Sequence, residues 1–205
     1  MSVRRFLPPV GDNLTPASET VLEEGIGVGW LSEAERRTVT AALARLIPAG
    51  EDPVTEPGAA EASVVDYVDR TLDAFSHDPP LVFAGGPSSG RRGGTAAYTS
   101  FLPLSRIEEI PWRQRVEAWQ ATYRAGLDAL GAGFPDLSGD EQDARLDELP
   151  DFKALLYEHA CEGFYGAPEY GGNRDLAGWR LADHAGDVAP IGWTPEQVTS
   201  PVENP

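Results

Sequence analysis

The stretch PWRQRVEAWQATYRAGLDALG, residues 111–131, decides the fold class of this chain. Its large apolar side chains recur every three or four residues, which is the spacing of one face of an α-helix. The members of this stripe are Trp112, Val116, Trp119, Tyr123, Leu127 and Leu130. Pro111 suits the first helical position, where its missing N–H costs nothing. The pattern predicts a long amphipathic helix that begins at Pro111 and buries one face.

Two further helices are predicted before this stretch. Ser32 and Glu35 have the spacing of a capping box, in which each side chain bonds the other residue's backbone N–H. Leu31 stands where a hydrophobic staple would, and Pro48 ends the helix that follows. Residues 59–75 form the second predicted helix. Its apolar face consists of Val64, Val65, Val68, Leu72 and Phe75.

Two more helices are predicted after the central stretch. Ser138 and Glu141 have capping-box spacing and open a short helix that reaches Leu149. Asp151 is predicted to cap a fifth helix over Phe152–Gly163. Its inward-facing side chains are predicted to be Phe152, Leu155, Leu156, His159 and Ala160.

No segment has the pattern of a strand, so the sequence predicts an all-α protein. The expected architecture is an irregular helical bundle of about five helices. The 22 Gly and 18 Pro residues predict long ordered loops. We expect an extended N-terminal arm over residues 1–29, a single helical domain over 30–186 and a C-terminal tail over 187–205.

The charge of the chain limits its partners. Its 205 residues include 16 basic and 33 acidic side chains, a net charge of −17. Such a surface repels phosphate backbones and anionic lipid headgroups, so we expect neither nucleic acid nor an anionic membrane surface as a partner. No apolar run approaches the roughly 20 residues of a membrane span, and direct membrane insertion is not expected.

The sequence offers no recognisable catalytic or metal site. Cys161 is the single cysteine, and its distance of two residues from His159 puts the two side chains on different faces of a helix. His77, His159 and His184 lack metal-ligand spacing. We therefore expect no catalytic, cofactor-binding or metal-binding residue in this chain. A small stand-alone enzyme that uses His159 or Cys161 is disfavoured, because nothing beside either residue is expected to tune its pKa.

The glycine-rich stretch GGPSSGRRGG, residues 85–94, is predicted to be a loop. It lacks the Gly-Lys-Ser/Thr ending of a phosphate-binding P-loop. The apolar segments on either side, residues 81–84 and 98–104, could tie it to the rest of the chain. Arg91 and Arg92 form a local basic spot in a very acidic protein, so a partner with an acidic surface could bind there.

The stretch PEYGGNRDLAGW, residues 168–179, combines a turn with two large aromatic side chains. Gly171 and Gly172 permit backbone conformations closed to other residues, and Asn173 can bond its neighbouring backbone. Two interpretations remain open. The turn either presents Tyr170 and Trp179 to a partner protein or folds back over the helical core and buries both aromatic rings.

Several of these segments together resemble the gluconate 2-dehydrogenase subunit 3 family, over about residues 31–186. The helical pieces are Leu31-Ser32-x-x-Glu35, Leu46-Ile47-Pro48, Pro57-Gly58-Ala59-x-x-Ala62 and Val65-x-Tyr67-Val68-Asp69. The later pieces are Gly163-Phe164-Tyr165-Gly166 and, most specific of all, Tyr170-Gly171-Gly172-Asn173 with Trp179.

The resemblance implies a non-catalytic small subunit of a sugar, glycoside or alcohol dehydrogenase. It implies a large catalytic subunit of the glucose-methanol-choline type that holds FAD, and often a cytochrome c that takes the electrons. The small subunit is implied to help the large one fold and acquire flavin. A transient folding factor that releases its client is the alternative. The residues expected to meet the partner are Tyr170, Gly171, Gly172, Asn173, Trp179, Arg91 and Arg92.

Family members often carry a twin-arginine export signal on this subunit. Here Arg4-Arg5-Phe6-Leu7 is followed by a polar, acidic segment instead of the expected apolar region. We therefore expect a cytoplasmic complex, or one that is exported through a signal on the partner.

Overall fold

The computed structural model describes residues 29–85 and 102–184. In these ranges the chain forms six α-helices and one short two-stranded ribbon, which confirms the predicted all-α class. The elements are α1 (Glu33–Leu46), α2 (Val64–Leu72), β1 (Phe83–Gly85), β2 (Leu102–Pro103), α3 (Arg106–Leu130), α4 (Gly139–Asp147), α5 (Pro150–Tyr165) and α6 (Ala177–Leu181).

Both predicted capping boxes are present. Ser32 caps α1 and Ser138 caps α4, and in each case the glutamate three residues later bonds back to the serine N–H, at 2.8 Å for Glu35 and 2.9 Å for Glu141. These bonds satisfy N–H groups that the first turn of a helix leaves without partners. Local sequence alone therefore fixed the starts of two helices.

The predicted start of α3 is wrong. The helix begins at Arg106, five residues before Pro111, which lies inside it. A third capping box explains the difference: the Ser105 hydroxyl accepts from the Glu108 N–H, and Glu108 accepts from the Ser105 N–H at 2.8 Å. This cap stabilises the first turn enough for the helix to continue through a proline.

Two other helix starts also differ from the prediction. α2 begins at Val64 instead of residue 59, because the preceding segment forms turns and Ser63 has a left-handed φ of 53°. α5 begins at Pro150, and Asp151 lies within its first turn instead of capping it. The proline fits there since that position needs no N–H donor.

β1 and β2 pair as antiparallel strands with an irregular register. The sequence predicted no strand and left open whether the apolar segments around residues 81–84 and 98–104 tie down the loop between them. The two strands overlap those segments. Each has only two or three residues, which is too short for an alternating pattern to be recognised.

The core forms around α5, which packs against α1, α2, α3, α4 and α6. Its buried side chains include Phe152, Leu156, His159 and Phe164, and the partly buried Leu155 also packs against the core. Gly163 lets α2 approach closely, because a Cβ there would lie 2.8 Å from the Val64 side chain. In the described ranges, no helix combines the length and apolarity needed to cross a bilayer.

Candidate functional site

The turn over residues 168–179 folds across α2 and α5. A 3-10 turn, Pro168–Tyr170, leads into Gly171 and Gly172, whose φ angles are 92° and 72°. A Cβ at Gly171 would lie 2.9 Å from the Tyr67 backbone nitrogen, and one at Gly172 would collide with the Gly163 carbonyl oxygen. The two glycines are required both by the backbone conformation and by the close approach of α2 and α5.

Asn173 holds the turn against the core from inside. Its side chain is fully buried, with a left-handed φ of 43°. Its amide nitrogen donates to the Gly166 carbonyl at 2.8 Å, and its amide oxygen accepts from the Gly178 N–H at 2.9 Å. Two interpretations of this turn were left open. Gly172 and Asn173 fold back onto the core, as the second interpretation expects for the turn itself.

The two aromatic side chains of this segment are only half-buried. The Trp179 indole N–H donates to the Tyr165 carbonyl at 2.8 Å, and the ring meets His184 edge-on at 5.0 Å between centroids. Burial, together with the Glu169 carboxylate, raises the pKa of the Tyr170 hydroxyl. Tyr170 and Trp179 therefore keep surface that a partner could cover, and docking through them stays a prediction.

The other two predicted interface residues, Arg91 and Arg92, lie outside the described residues.

A charged groove of about 670 Å³ runs beside the turn. It lies between the segment that enters α1, the polar face of α2 and Gly171-Gly172. Arg36 forms ion pairs with Asp66 and with Asp69, at 2.6 Å for the latter. Asp69 also accepts the Leu31 N–H at 2.8 Å. These bonds join the start of α1 to α2.

Two further arginines of the groove join α2 to the turn. Arg70 donates to the Glu169 carbonyl at 2.7 Å, and Arg174 lies 3.6 Å from the Asp66 carboxylate. The Arg174 N–H also donates to the Ala62 carbonyl at 3.0 Å. The polar groups that line the groove thus bond one another and hold α1, α2 and the turn together. We refer to these bonded groups as the latch. No group of three or more metal-ligating side chains is found within residues 29–85 and 102–184.

Sequence analysis did not single out the latch residues Arg36 and Asp66. The signal available in the sequence was Asp69, which ends the motif Val65-x-Tyr67-Val68-Asp69. In the structure this side chain is only 8% exposed. A carboxylate so deeply buried needs a cation or several N–H partners. The sequence could not show that those partners come from residues more than 30 positions away.

His159 sits in an aromatic cage inside the bundle. It is fully buried, and its Nδ1 lies 3.0 Å from the Tyr123 hydroxyl. The Trp119 ring meets it edge-on at 4.8 Å, and Tyr67 lies at 6.2 Å. Its Nε2 has no hydrogen-bond partner among the described residues. The structure thus places it as the core histidine that its position on the predicted helix indicated.

Burial lowers the pKa of His159 to about 4. The expectation that nothing tunes this residue is therefore wrong. The cause is desolvation by side chains from α2 and α3, which adjacent sequence cannot reveal. The imidazole is neutral near pH 7 and closed to solvent, so a dissolved substrate cannot reach it.

Cys161 contacts a different neighbour. Its thiol lies beside the hydroxyl of Tyr157, one turn earlier on α5, and this neighbour raises the pKa of Tyr157. The thiol is half-buried. The two residues that could have made this chain an enzyme thus have separate environments.

Comparison with known proteins agrees with this architecture. The model of the family described as gluconate 2-dehydrogenase subunit 3 matches residues 33–186. This range contains all six helices, the latch and the turn. No curated protein and no solved structure gives a significant match. The chain belongs to the gluconate 2-dehydrogenase subunit 3 family, a family of dehydrogenase subunits, and it is therefore expected to act with a partner subunit.

Proposed function

We propose that this chain is the non-catalytic accessory subunit of an FAD-dependent dehydrogenase that oxidises a sugar, glycoside or alcohol. Its partner would be a larger flavoprotein of the glucose-methanol-choline type, and FAD would bind to that partner. A cytochrome c would be one possible electron acceptor. The redox chemistry would then belong to the flavin, and this chain would stabilise the protein that holds it.

The observation that carries the proposal is the family match over residues 33–186. The environments of His159 and Cys161 also support a non-catalytic role. His159 has no solvent-exposed surface, and the Cys161 thiol lies beside a tyrosine hydroxyl. Neither arrangement gives a nucleophile beside a base that substrate can reach.

The test is purification of the tagged chain from the cells that make it, followed by size-exclusion chromatography. The visible spectrum and mass spectrometry of the main peak are then recorded. We expect a yellow complex in which a larger flavoprotein is present in a fixed ratio, FAD is released on denaturation, and a dye is reduced when a sugar or polyol is added. A colourless, monodisperse small protein would overturn the permanent-subunit proposal.

A transient folding factor gives a different result in the same material. It would hold the flavoprotein without flavin and release it when FAD is added. The ratio of the two proteins before and after FAD addition therefore separates a lasting subunit from a chaperone that dissociates.

The role of the turn is tested by Tyr170→Ala. If the turn docks on the flavoprotein, we expect Tyr170→Ala to lower the affinity for the flavoprotein at least about tenfold. The reason is that a tyrosine buried in an interface is a typical anchor. Val54→Ala serves as the control, since Val54 is 84% exposed in the loop between α1 and α2. Unchanged affinity of a folded Tyr170→Ala chain would refute docking through this side chain.

A further inference from the structure

The first ten residues of α3, Arg106–Arg115, project from the bundle. None of them is buried, and the first buried side chain of the helix is Val116. At a rise of about 1.5 Å per residue, this segment is about 15 Å long. We refer to it as the projecting segment.

The projecting segment presents apolar side chains to solvent. Ile107 is 82% exposed and Ile110 is 61% exposed, and Pro111 is exposed beside them. Positions i and i+3 lie on the same side of a helix, so the two isoleucines form one stripe. Such a stripe is how an amphipathic helix usually inserts into a groove of another protein.

The helical conformation of this segment has little stability without a covering surface. A helix that buries no face has little stability of its own in water. Pro111 removes the hydrogen bond to the Ile107 carbonyl, and a proline inside a helix costs about 3 kcal/mol. The capping box at Ser105 offsets part of this cost. Cover by another surface would offset the rest.

The charges of the segment indicate what kind of surface fits. Arg106, Arg113 and Arg115 form no ion pair with the described residues. Arg36 and Arg45, elsewhere in the bundle, bond carboxylates of this chain. Arg113 instead lies over the Phe75 ring at 4.4 Å, and Arg115 lies over Trp112 at 4.6 Å. Stacked guanidinium groups keep N–H donors free for carboxylates of a partner.

A second copy of this chain fits poorly. Each copy carries a net charge of −17, so two copies repel each other. A different protein with a few carboxylates around an apolar depression matches both the isoleucines and the arginines.

We propose that the projecting segment docks on the catalytic flavoprotein subunit. Ile107 and Ile110 enter an apolar groove of that subunit, and Arg106 and Arg113 bond carboxylates at its rim. This inference rests on the proposed function for the existence of the partner, but it assigns the contact to α3 instead of the turn.

The experiment uses the flavoprotein that co-purifies with the tagged chain. Its affinity for Ile107→Asp/Ile110→Asp is compared with that for wild type and for Val54→Asp, a matched control in which an exposed valine receives the same charge. We expect the double variant to weaken binding at least about 100-fold, because a carboxylate in an apolar groove is left without a partner. Val54→Asp should stay within about twofold of wild type, as expected for a side chain outside the interface.

Charge reversal gives a second, independent readout. Arg106→Glu/Arg113→Glu should weaken binding at least about tenfold at low salt and by less at high salt. Hydrogen exchange of residues 106–115 should slow when the flavoprotein is added. Both isoleucines are solvent-exposed, so the melting temperature of the Ile107→Asp/Ile110→Asp chain alone should match that of wild type.

Each alternative has its own outcome. If wild type binds no flavoprotein, the proposed function fails and this inference fails with it. If wild type and Ile107→Asp/Ile110→Asp bind equally well, only the docking surface is wrong. A wild-type homodimer that the double variant dissociates, or slow exchange of residues 106–115 in the isolated chain, would show that another surface covers the segment and would overturn the inference.

Discussion

The turn at residues 171–173 packs against the helical bundle, whereas the projecting segment of α3 exposes its side chains to solvent. The turn lies against α2 and α5, and both ends of the Asn173 amide are bonded to backbone. The projecting segment has no buried side chain and exposes two isoleucines. The most specific motif of the sequence thus builds the fold, while a segment without such a motif leaves apolar surface uncovered. Specific sequence and interaction surface need not coincide.

The largest expected effect comes from Gly172→Ala. The new Cβ would meet the Gly163 carbonyl oxygen, and the φ of 72° strains any side chain. We expect a loss of about 4 kcal/mol in the free energy of unfolding, from backbone strain plus a collision that moves the turn. Urea denaturation followed by circular dichroism measures it.

Gly131→Ala is the matched control for this prediction. Gly131 has nearly the same φ, 74°, but nothing lies within 4 Å of the added Cβ. It should lose only the strain contribution, about 1–3 kcal/mol, since its ψ of 163° puts it in a region that is essentially closed to residues other than glycine. Equal losses in the two variants would show that the close approach to α5 does not matter.

Asn173→Ala is expected to cost slightly less. It removes a donor to the Gly166 carbonyl and an acceptor for the Gly178 N–H, and leaves buried backbone groups unbonded. We expect a loss of about 3 kcal/mol, as is usual when buried hydrogen bonds lose one partner. The Trp179 fluorescence spectrum should also change, since the turn carries that ring. A stable Asn173→Ala chain with wild-type fluorescence would contradict the internal role of Asn173.

The third prediction concerns pH, because the caged His159 is a buried titratable group of the core. Its pKa is about 4 in the folded chain and near the ordinary histidine value of 6.5 when the chain is unfolded. The unfolded chain therefore binds the proton first, and stability falls as the pH drops from about 6.5 towards 4. Between pH 7 and pH 5 we expect a loss of about 2 kcal/mol from this group.

His159→Gln should flatten that pH dependence while lowering stability at pH 7. His184→Gln is the control, since that histidine is exposed at the surface. Folded carboxylates whose pKa is lowered, such as Glu35 and Asp143, lose their contribution at more acidic pH and leave this window to His159. An unchanged slope in His159→Gln would show that the cage does not keep the imidazole neutral.

The sequence predicted what depends on local chemistry and missed what depends on distant contacts. The caps at Ser32 and Ser138 were predicted, because all partners lie within three residues. The same signal at Ser105 was overlooked in favour of Pro111, which is a weaker indicator of a helix start than a complete capping box. The class of the fold followed from the helical stripes.

The site shows the same division. The residue types of the two glycines and Asn173 were enough to predict a turn. They were not enough to predict which side of the turn faces the core. That choice is made by the Gly163 backbone and by Arg70, which meet the turn only after α2 and α5 pack. The exposure of Ile107 and Ile110 could not be predicted from the sequence either, because their spacing is that of a buried helical face.

The smallest expected effect on global stability is that of Pro111→Ala. The change restores an N–H donor for the Ile107 carbonyl and removes the ring that crowds it. Because the projecting segment lies outside the core, the free energy of unfolding should change by less than about 0.5 kcal/mol. Hydrogen exchange of residues 106–115 in the isolated chain should nevertheless slow about tenfold, since opening of this segment is local. Gln114→Ala, an exposed change in the same segment, is the control. If Pro111→Ala raised global and local stability equally, the projecting segment would unfold together with the bundle, and its contrast with the turn would be lost.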